Sequence, residues 1–329
     1  MAWKVGQRMN QHNKSFNNQD PQLTHSLFSF KNLVSWIGII FLRLLTILPY
    51  KVLMKIGDLT GNIIHKVSPH RREISSININ KCLDLEGEAL DKLVRSNFQA
   101  IGRGIFEMAI AWWASEERIK KLETKLINGD LLKNQETGAL VLIKHSTHLE
   151  LDLRLMSQFF DLTGMYKIQT NDVVNFVMIK ARNKYIKGSL TNKEAVKAMK
   201  WIRSGEIFLY AADQDYGSKV SRMIPFFGSE AATVTFPAIF AKKDVKIVFA
   251  DVSKLDGIYE IELKELEKSE DEVVFLNHMN KHYEEFIKKE PEGYLWMHRR
   301  FKSGSEDSIY PRWSSRDRKR EKRRKRKSN

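Results

Sequence analysis

Short apolar runs of strand length alternate with amphipathic stretches of helical period through the centre of the chain. Buried strands are predicted at Gly138–Lys144, Glu206–Ala212 and Lys246–Val252, and a half-exposed strand at Ile258–Lys264. Apolar residues at helical spacing follow or separate them, at residues 149–160, 192–205 and 277–290. Strands separated by helices predict an α/β fold with a mixed sheet, in which ligands bind near the strand ends.

The N-terminal part of the chain predicts helices. From Ala89 to Trp113 apolar residues recur at helical spacing, which is typical of a helix that faces the core. Leu33–Tyr50 is an eighteen-residue apolar segment with one charge, Arg43. As a single helix it would be roughly 27 Å long, just short of a hydrocarbon core of about 30 Å. We therefore predict a membrane anchor at residues 31–52 that either spans the bilayer or lies in its interface, after a polar segment at residues 1–30.

Composition excludes several classes of protein. The 329 residues are 42% hydrophobic and 29% charged, which excludes wholesale disorder. The mean hydropathy of −0.40 excludes a polytopic membrane protein. The single cysteine, Cys82, excludes a disulfide framework and any metal site that needs several cysteines.

The net charge of +15 is unevenly distributed. Arg316–Lys327 holds ten basic and two acidic residues, so about half of the excess lies in this short tail. The rest of the chain is moderately basic and suits anionic partners, such as phospholipid head groups, phosphorylated substrates, acidic proteins or nucleic acid.

The segment with the clearest candidate chemistry is LIKHSTHLELD. His145 follows a predicted strand, and Glu150 lies on the helix after it. Inside one ideal helix the two residues would be 140° apart, so they converge only if His145 projects from the turn. A carboxylate behind an imidazole fixes its tautomer and leaves the other ring nitrogen as a general base.

Three other interpretations of this segment remain open. In the first, His145 is a loop histidine without a functional role. In the second, His148 and Asp152 form a solvated pair on a helix surface at i,i+4 spacing. In the third, His145, His148 and Glu150 bind a metal, although no established zinc-binding spacing is present.

The HSTHLE stretch resembles the His–four residues–Glu motif of the late acyltransferases of lipid A biosynthesis, the lauroyl/myristoyl family. That family is a branch of the lysophospholipid and glycerol-phosphate acyltransferases. Further resemblances follow in the family's order, covering roughly residues 30–303: an anchor and first helix at WIGIIFLRLLTILPY and RREISSININKCL, a second block at FLYAADQDYG and PFFG, a helix at EAATVTFPAIFAK and a C-terminal signature at PEGYLWMHRRFK.

The resemblance implies an acyltransferase sandwich at residues 53–310, attached to the bacterial inner membrane and facing the cytoplasm. It implies transfer of a fatty acyl group from acyl carrier protein to the 3-hydroxyl of an acyl chain on a Kdo-bearing lipid A precursor. His145 and Glu150 would form the catalytic dyad. A thioester is already activated, so we expect no metal, no cofactor and no covalent nucleophile.

The resemblance also implies residues that bind the substrate. Arg182 falls where the family has a basic residue for a substrate phosphate or the oxyanion; the alternative is a surface arginine. The other candidates form two groups. Asp213, Asp215 and Tyr216 would contact the substrate, or would be structural residues of a turn. Arg299, Arg300 and Lys302, beside Trp296, would bind an anionic head group, or would form a solvated basic face.

Two rival functions and one departure from the family pattern remain. The same architecture could acylate another glycolipid or a lysophospholipid. A membrane-attached nucleic-acid-binding protein is disfavoured, because no aromatic residues interleave the basic tail. The tail, residues 311–329, is not part of the family pattern, and we expect it to be disordered and attracted to anionic lipid.

Overall fold

A computed structural model describes residues 21–133, 138–304 and 309–311. The basic run Arg316–Lys327 and the first twenty residues lie outside the described residues, so the expectations for them stay predictions. The described strands are β1 (Thr124–Ile127), β2 (Ala139–Ile143), β3 (Leu162–Tyr166), β4 (Gly188–Thr191), β5 (Ile207–Ala211), β6 (Ser221–Phe226), β7 (Ser229–Val234), β8 (Lys246–Leu255) and β9 (Ile258–Glu265).

Seven of these strands form one mixed sheet in the order β1-β9-β8-β2-β5-β3-β4, as the α/β prediction requires. Every neighbouring pair is parallel except β8 and β9. The central strand β2 lies between β5 and β8, with Ile143 opposite both Ala211 and Ala250. The carboxyl ends of β2 and β5 therefore meet at one edge of the sheet.

Helices cover both faces of the sheet, which explains why the central strands are apolar throughout. Along β2, Leu140 and Leu142 contact one core cluster, and Val141 and Ile143 contact the other. The helices are α1 (Leu33–Leu45), α2 (Tyr50–Val67), α3 (Pro69–Leu83), α4 (Gly87–Trp113), α5 (Glu116–Lys120), α6 (Leu149–Met156), α7 (Asp172–Arg182), α8 (Ala195–Arg203), α9 (Ala238–Ala241) and α10 (Glu272–Lys289).

Local sequence explains where several helices begin. The side chain of Asn171 accepts hydrogen bonds from the backbone N–H groups of Val173 and Val174 at the start of α7, and Asp271 caps α10 in the same way. The long helix predicted up to Trp113 is confirmed as α4.

One helix predicted from the resemblance is wrong in part. The stretch EAATVTFPAIFAK begins in β7, and only its second half forms the short helix α9. The reason is the turn that precedes this stretch. Phe227 and Gly228 both have positive φ, at 49° and 72°, so β6 and β7 pair as a hairpin with a two-residue turn.

The predicted anchor is two helices rather than one. α1 ends at Leu45, and α2 begins at Tyr50 after Pro49. At 1.5 Å per residue the thirteen residues of α1 extend about 20 Å. No helix in the described ranges is both long and apolar enough to cross a bilayer.

The α1 segment is also part of the folded core. Ile39 is buried in the same cluster as β2, and the side chain of Asn171 donates to Ser35 Oγ at 2.8 Å. Tyr50 donates from its hydroxyl to the buried Glu107 at 2.8 Å. Removing residues 33–50 would therefore also remove contacts of the core.

Candidate active site

His145 lies on the loop between β2 and α6, as its position after a strand predicted. Its backbone N–H donates to Asp213 Oδ2 at 2.8 Å, and its Nδ1 lies 2.5 Å from Asp213 Oδ1. Asp213 follows β5, and β5 pairs with β2, so the parallel register brings the two loops to the same edge of the sheet. The imidazole is partly exposed, and the carboxylate is fully buried behind it.

The surroundings of Asp213 keep it ionised. Burial alone would raise the pKa of Asp213, but the neighbouring His145 and its two hydrogen bonds outweigh burial and hold that pKa below its usual value. The hydroxyl of Tyr283 accepts from the N–H of Ala212 at 3.0 Å and donates to the carbonyl of Ile143 at 3.1 Å. The buried hydroxyl of Tyr283 thus connects the carboxyl ends of β2 and β5.

The carboxylate expected behind His145 was Glu150, and this expectation is corrected. Arg182 donates from Nε to Glu150 Oε2 at 3.1 Å and from Nη2 to Oε1, and the indole of Trp112 donates to Oε2 at 2.9 Å. Glu150 is on the first turn of α6 and is held by α4 and α7. Asp213, predicted as a substrate contact, has the place behind the imidazole instead.

Arg182 is not a surface arginine. Its side chain is mostly buried at the end of α7 against Glu150. Burial alone would lower the pKa of Arg182, but pairing with Glu150 raises it above its ordinary value. The pair is a buried, bidentate contact that joins α7 to the helix following the His145 loop.

Asp215 and Tyr216 differ in exposure. Asp215 is buried and accepts from the N–H of Gly217 at 2.8 Å and from the N–H of Ser303 at 2.8 Å, which is the arrangement of a turn residue. Tyr216 is 45% exposed, and its hydroxyl donates to the carbonyl of Ala211 at 3.1 Å. Tyr216 therefore remains available at the rim of the site.

The predicted basic cluster near the C-terminus is divided by the fold. Arg300 is buried, donates to the carbonyl of Ala232 at 2.7 Å and lies 4.6 Å above the ring of Phe226. Its predicted role in binding a head group is wrong, because its guanidinium fastens the β6–β7 hairpin from inside. Arg299 contacts His70 at 3.2 Å and is partly exposed.

His148 and Asp152 form a buried pair rather than a solvated one. Their Nδ1 and Oδ1 atoms are 2.5 Å apart, and Glu290 Oε2 lies 3.5 Å from His148 Nε2. Burial alone would lower the pKa of His148, but the Asp152 and Glu290 carboxylates outweigh it and raise that pKa well above its usual value. The imidazolium braces the loop that bears His145, a role that the sequence pattern did not reveal.

A shared metal site among His145, His148 and Glu150 is not formed. The two histidines contact different aspartates, and Glu150 is paired with Arg182. Within the described ranges, no group of three or more histidine, cysteine, aspartate or glutamate residues is arranged to hold a metal ion.

The C-terminal signature lies against the loop that bears His145. The N–H of Leu295 donates to the carbonyl of His145 at 3.0 Å, and the N–H of Thr147 donates to the carbonyl of Gly293 at 2.7 Å. Ser146 and Tyr294 form an antiparallel bridge between these two hydrogen bonds. Residues 293–295 therefore hold the backbone of the His145 loop, while Asp213 holds both the backbone N–H and the imidazole of His145.

Comparison with known proteins agrees with the resemblance to the lipid A acyltransferases that the sequence motifs indicated. Residues 21–303 match the model of the bacterial lipid A biosynthesis acyltransferases. The lipid A biosynthesis lauroyltransferase of Escherichia coli is 29% identical, over 87% of this chain and 97% of its own length. The palmitoleoyltransferase of E. coli is 29% identical over 84% of this chain and 94% of its own, and the myristoyltransferase is 24% identical over 84% and 89%.

A solved structure, the 1-acyl-sn-glycerophosphate acyltransferase of Thermotoga maritima, aligns with 72% of this chain and 98% of its own at 12% identity and a TM-score of 0.34. At that score it adds no argument about function. The family match covers most of the chain, including the His145 loop, the Asp213 loop and the whole C-terminal signature. This chain belongs to the bacterial lipid A biosynthesis acyltransferase family and is an acyltransferase.

Proposed function

We propose that this acyltransferase moves a fatty acyl group from acyl carrier protein to the 3-hydroxyl of an acyl chain on a Kdo-bearing lipid A precursor. His145 is the general base in this proposal. The observation that supports it is the His145–Asp213 pair at the carboxyl ends of β2 and β5, in a chain of this family. An ionised Asp213 keeps the proton on Nδ1, which leaves Nε2 as the basic atom.

The proposed reaction needs one proton acceptor and no covalent enzyme intermediate. Nε2 of His145 takes the proton of the acceptor hydroxyl as its oxygen bonds to the thioester carbon. The tetrahedral intermediate then expels the thiolate of the carrier, and the imidazolium returns the proton to the sulfur. Asp213 stabilises the imidazolium between these two steps.

Arg182 is proposed to meet an anionic oxygen of the substrate. Two of its nitrogens, Nε and Nη2, contact Glu150, and Nη1 makes no hydrogen bond to the residues that the structure describes. A guanidinium fixed along one edge can present its free edge to a phosphate oxygen at little entropic cost. Glu150 is then a positioning residue for Arg182, although the family motif assigns it to the dyad.

Attachment to the cytoplasmic face of the inner membrane is proposed from the exposed face of α1. Val34, Ile37, Phe41 and Leu44 recur at helical spacing and are half to four-fifths exposed. Such a face inserts into the interface of a bilayer, with Arg43 beside it for anionic head groups. The moderately basic body would likewise attract the acidic acyl carrier protein.

Acyl transfer between purified components tests the proposal. The enzyme is given acyl-acyl carrier protein and, in separate reactions, the Kdo-bearing lipid A precursor or a lysophospholipid, and mass spectrometry locates the new ester. We expect His145→Ala to lose transfer by about 10²- to 10⁴-fold, whereas His278→Ala, a partly exposed histidine on α10, stays at the wild-type rate.

Two results would contradict the proposal. A folded His145→Ala protein that retains turnover would exclude the general base. Efficient acylation of a lysophospholipid with no product on the lipid A precursor would show that the enzyme uses another acceptor.

A further inference from the structure

A second imidazole, His298, lies beside the His145–Asp213 pair and has no part in the mechanism above. Its Nε2 accepts a hydrogen bond from the backbone N–H of Asp215 at 3.3 Å. Asp215 is two residues after Asp213, which holds His145 by its ring and its backbone. The two imidazoles are thus attached to the same short loop after β5.

The hydrogen bond to Asp215 determines which nitrogen of His298 bears the proton. A backbone N–H can only donate, so Nε2 must present its lone pair, and the neutral ring keeps its proton on Nδ1. Nδ1 makes no hydrogen bond to the described residues and is not one of their buried, unpartnered atoms. His298 is only partly buried and is close enough to His145 for the two side chains to interact electrostatically, so an unused N–H donor is available near the general base.

His298 stays neutral at physiological pH. Burial, together with the positive charge of Lys302, lowers the pKa of His298 to about 4. A neutral N–H can stabilise a developing negative charge while keeping its proton, which leaves the acid–base chemistry to His145.

The backbone around His298 is fixed on both sides. The side-chain amide of Asn78 donates to the carbonyl of His298 at 2.7 Å and to the carbonyl of Trp296 at 2.6 Å. The N–H of His298 donates to the carbonyl of Leu295 at 3.3 Å, and the N–H of Leu295 donates to the carbonyl of His145 at 3.0 Å. Because the donor is held before the substrate arrives, little reorganisation is needed in the reaction.

We propose that His298 donates its Nδ1–H to the thioester carbonyl oxygen as that oxygen becomes an oxyanion, which makes it a second catalytic residue. This inference rests on the proposed function, because it requires attack on a thioester assisted by His145. As the hydroxyl oxygen bonds to the carbon, the electron pair of the carbonyl moves onto the oxygen that His298 contacts. No atom passes to or from His298, and its hydrogen bond strengthens as the charge grows.

Three replacements separate the donor from a purely structural role. In His298→Gln the side-chain oxygen can still accept from Asp215 N–H, but the Nδ1 donor is lost. In His298→Asn the amide N–H takes the place of Nδ1, and the contact with Asp215 is lost. Replacing His298 by Nδ1-methylhistidine keeps the ring and the acceptor and blocks only the donor, which protects the test if the other variants fail to fold.

We expect His298→Gln and the methylated ring to lower kcat by about 10²- to 10³-fold with the KM of each substrate little changed. His298→Asn should retain more activity than His298→Gln. Wild-type kcat with the methylated ring, or an active His298→Gln beside an inactive His298→Asn, would overturn the inference in favour of a role in positioning Asp215.

His145→Ala is assayed in parallel. If it keeps its turnover, the proposed function fails whatever His298 does. If it loses its turnover while the His298 variants keep theirs, only the present inference fails.

Discussion

Gly104 on α4 offers a test of how this helix positions the loop that bears His145. A Cβ built on Gly104 would lie 2.0 Å from the carbonyl oxygen of Thr147 and 2.9 Å from its carbonyl carbon. Thr147 is two residues from His145, and its N–H is bonded to the carbonyl of Gly293 at 2.7 Å. The added methyl group of Gly104→Ala would therefore clash with the loop at Thr147, and the hydrogen bond to Gly293 limits how far that loop can move away.

The size of the effect follows from these distances. Ordinary van der Waals contact begins near 3.4 Å, so the loop or the helix must move by about 1.4 Å. Overpacking of this kind typically costs about 1–3 kcal/mol, against which alanine gains about 1 kcal/mol of helix propensity. A displacement of about 1 Å at a catalytic group can lower the rate by about 10²-fold. We expect a modest loss of stability and a large loss of kcat.

Gly102→Ala is the matched control. Its Cβ would lie 2.1 Å from the carbonyl oxygen of Gly57 and 2.4 Å from the nitrogen of Gly61, so the clash is as severe but falls between α4 and α2. Thermal unfolding gives the stability of each variant, and kcat is measured well below the lower Tm. If Gly104→Ala kept the wild-type kcat, or if both variants lost activity equally per folded molecule, the reasoning would be refuted.

Three further predictions concern the carboxylates and the membrane face. Asp213→Asn should lower kcat by about 10²- to 10⁴-fold and change the pH profile of kcat/KM, because a neutral amide cannot stabilise the imidazolium; an unchanged profile would argue against the pair. The pKa of Glu107 is lowered to about 2, since the charge of Lys254 and its hydrogen bonds outweigh burial, so its contribution is present above pH 4.5 and is lost as the pH falls towards 2. Between pH 4.5 and pH 2 the free energy of unfolding, measured by urea denaturation, should therefore fall by up to about 3 kcal/mol because of Glu107, and this part of the fall should be absent in Glu107→Gln. An equal fall in both proteins would contradict this. Replacing Ile37 and Phe41 by serine should reduce flotation with anionic vesicles, whereas Val196→Ser, an exposed valine on α8, should not; equal binding of all variants would exclude the α1 face.

The sequence by itself determined most of the α/β architecture. The apolar runs at Gly138–Lys144 and Glu206–Ala212 became β2 and β5, because a strand that is buried on both faces of a sheet is apolar throughout. The helical period up to Trp113 became α4, which packs against α2 through paired glycines. The position of His145 on the turn after a strand was also correct. These features depend on local periodicity, which a sequence displays directly.

Sequence reasoning placed the helix boundaries within the predicted anchor less well. The apolar composition of Leu33–Tyr50 was evident, but Pro49 and the turn before it divide this segment between α1 and α2. The burial of Ile39 depends on helices that come later in the chain. Hydrophobicity along the sequence therefore did not distinguish the face that packs inwards from the face that is exposed.

The contacts of His145, the proposed general base, were decided only by the tertiary structure. Asp213 is 68 residues from His145, and it reaches the imidazole because β2 and β5 are parallel neighbours whose carboxyl ends meet. Glu150, close in sequence, turns towards Arg182, and Arg300 turns into the β6–β7 hairpin. A charged side chain binds whichever counter-charge or carbonyl the packed chain brings within about 3 Å, since an unpaired buried charge costs several kcal/mol. That choice is made by sheet order and helix packing, which no short stretch of sequence contains.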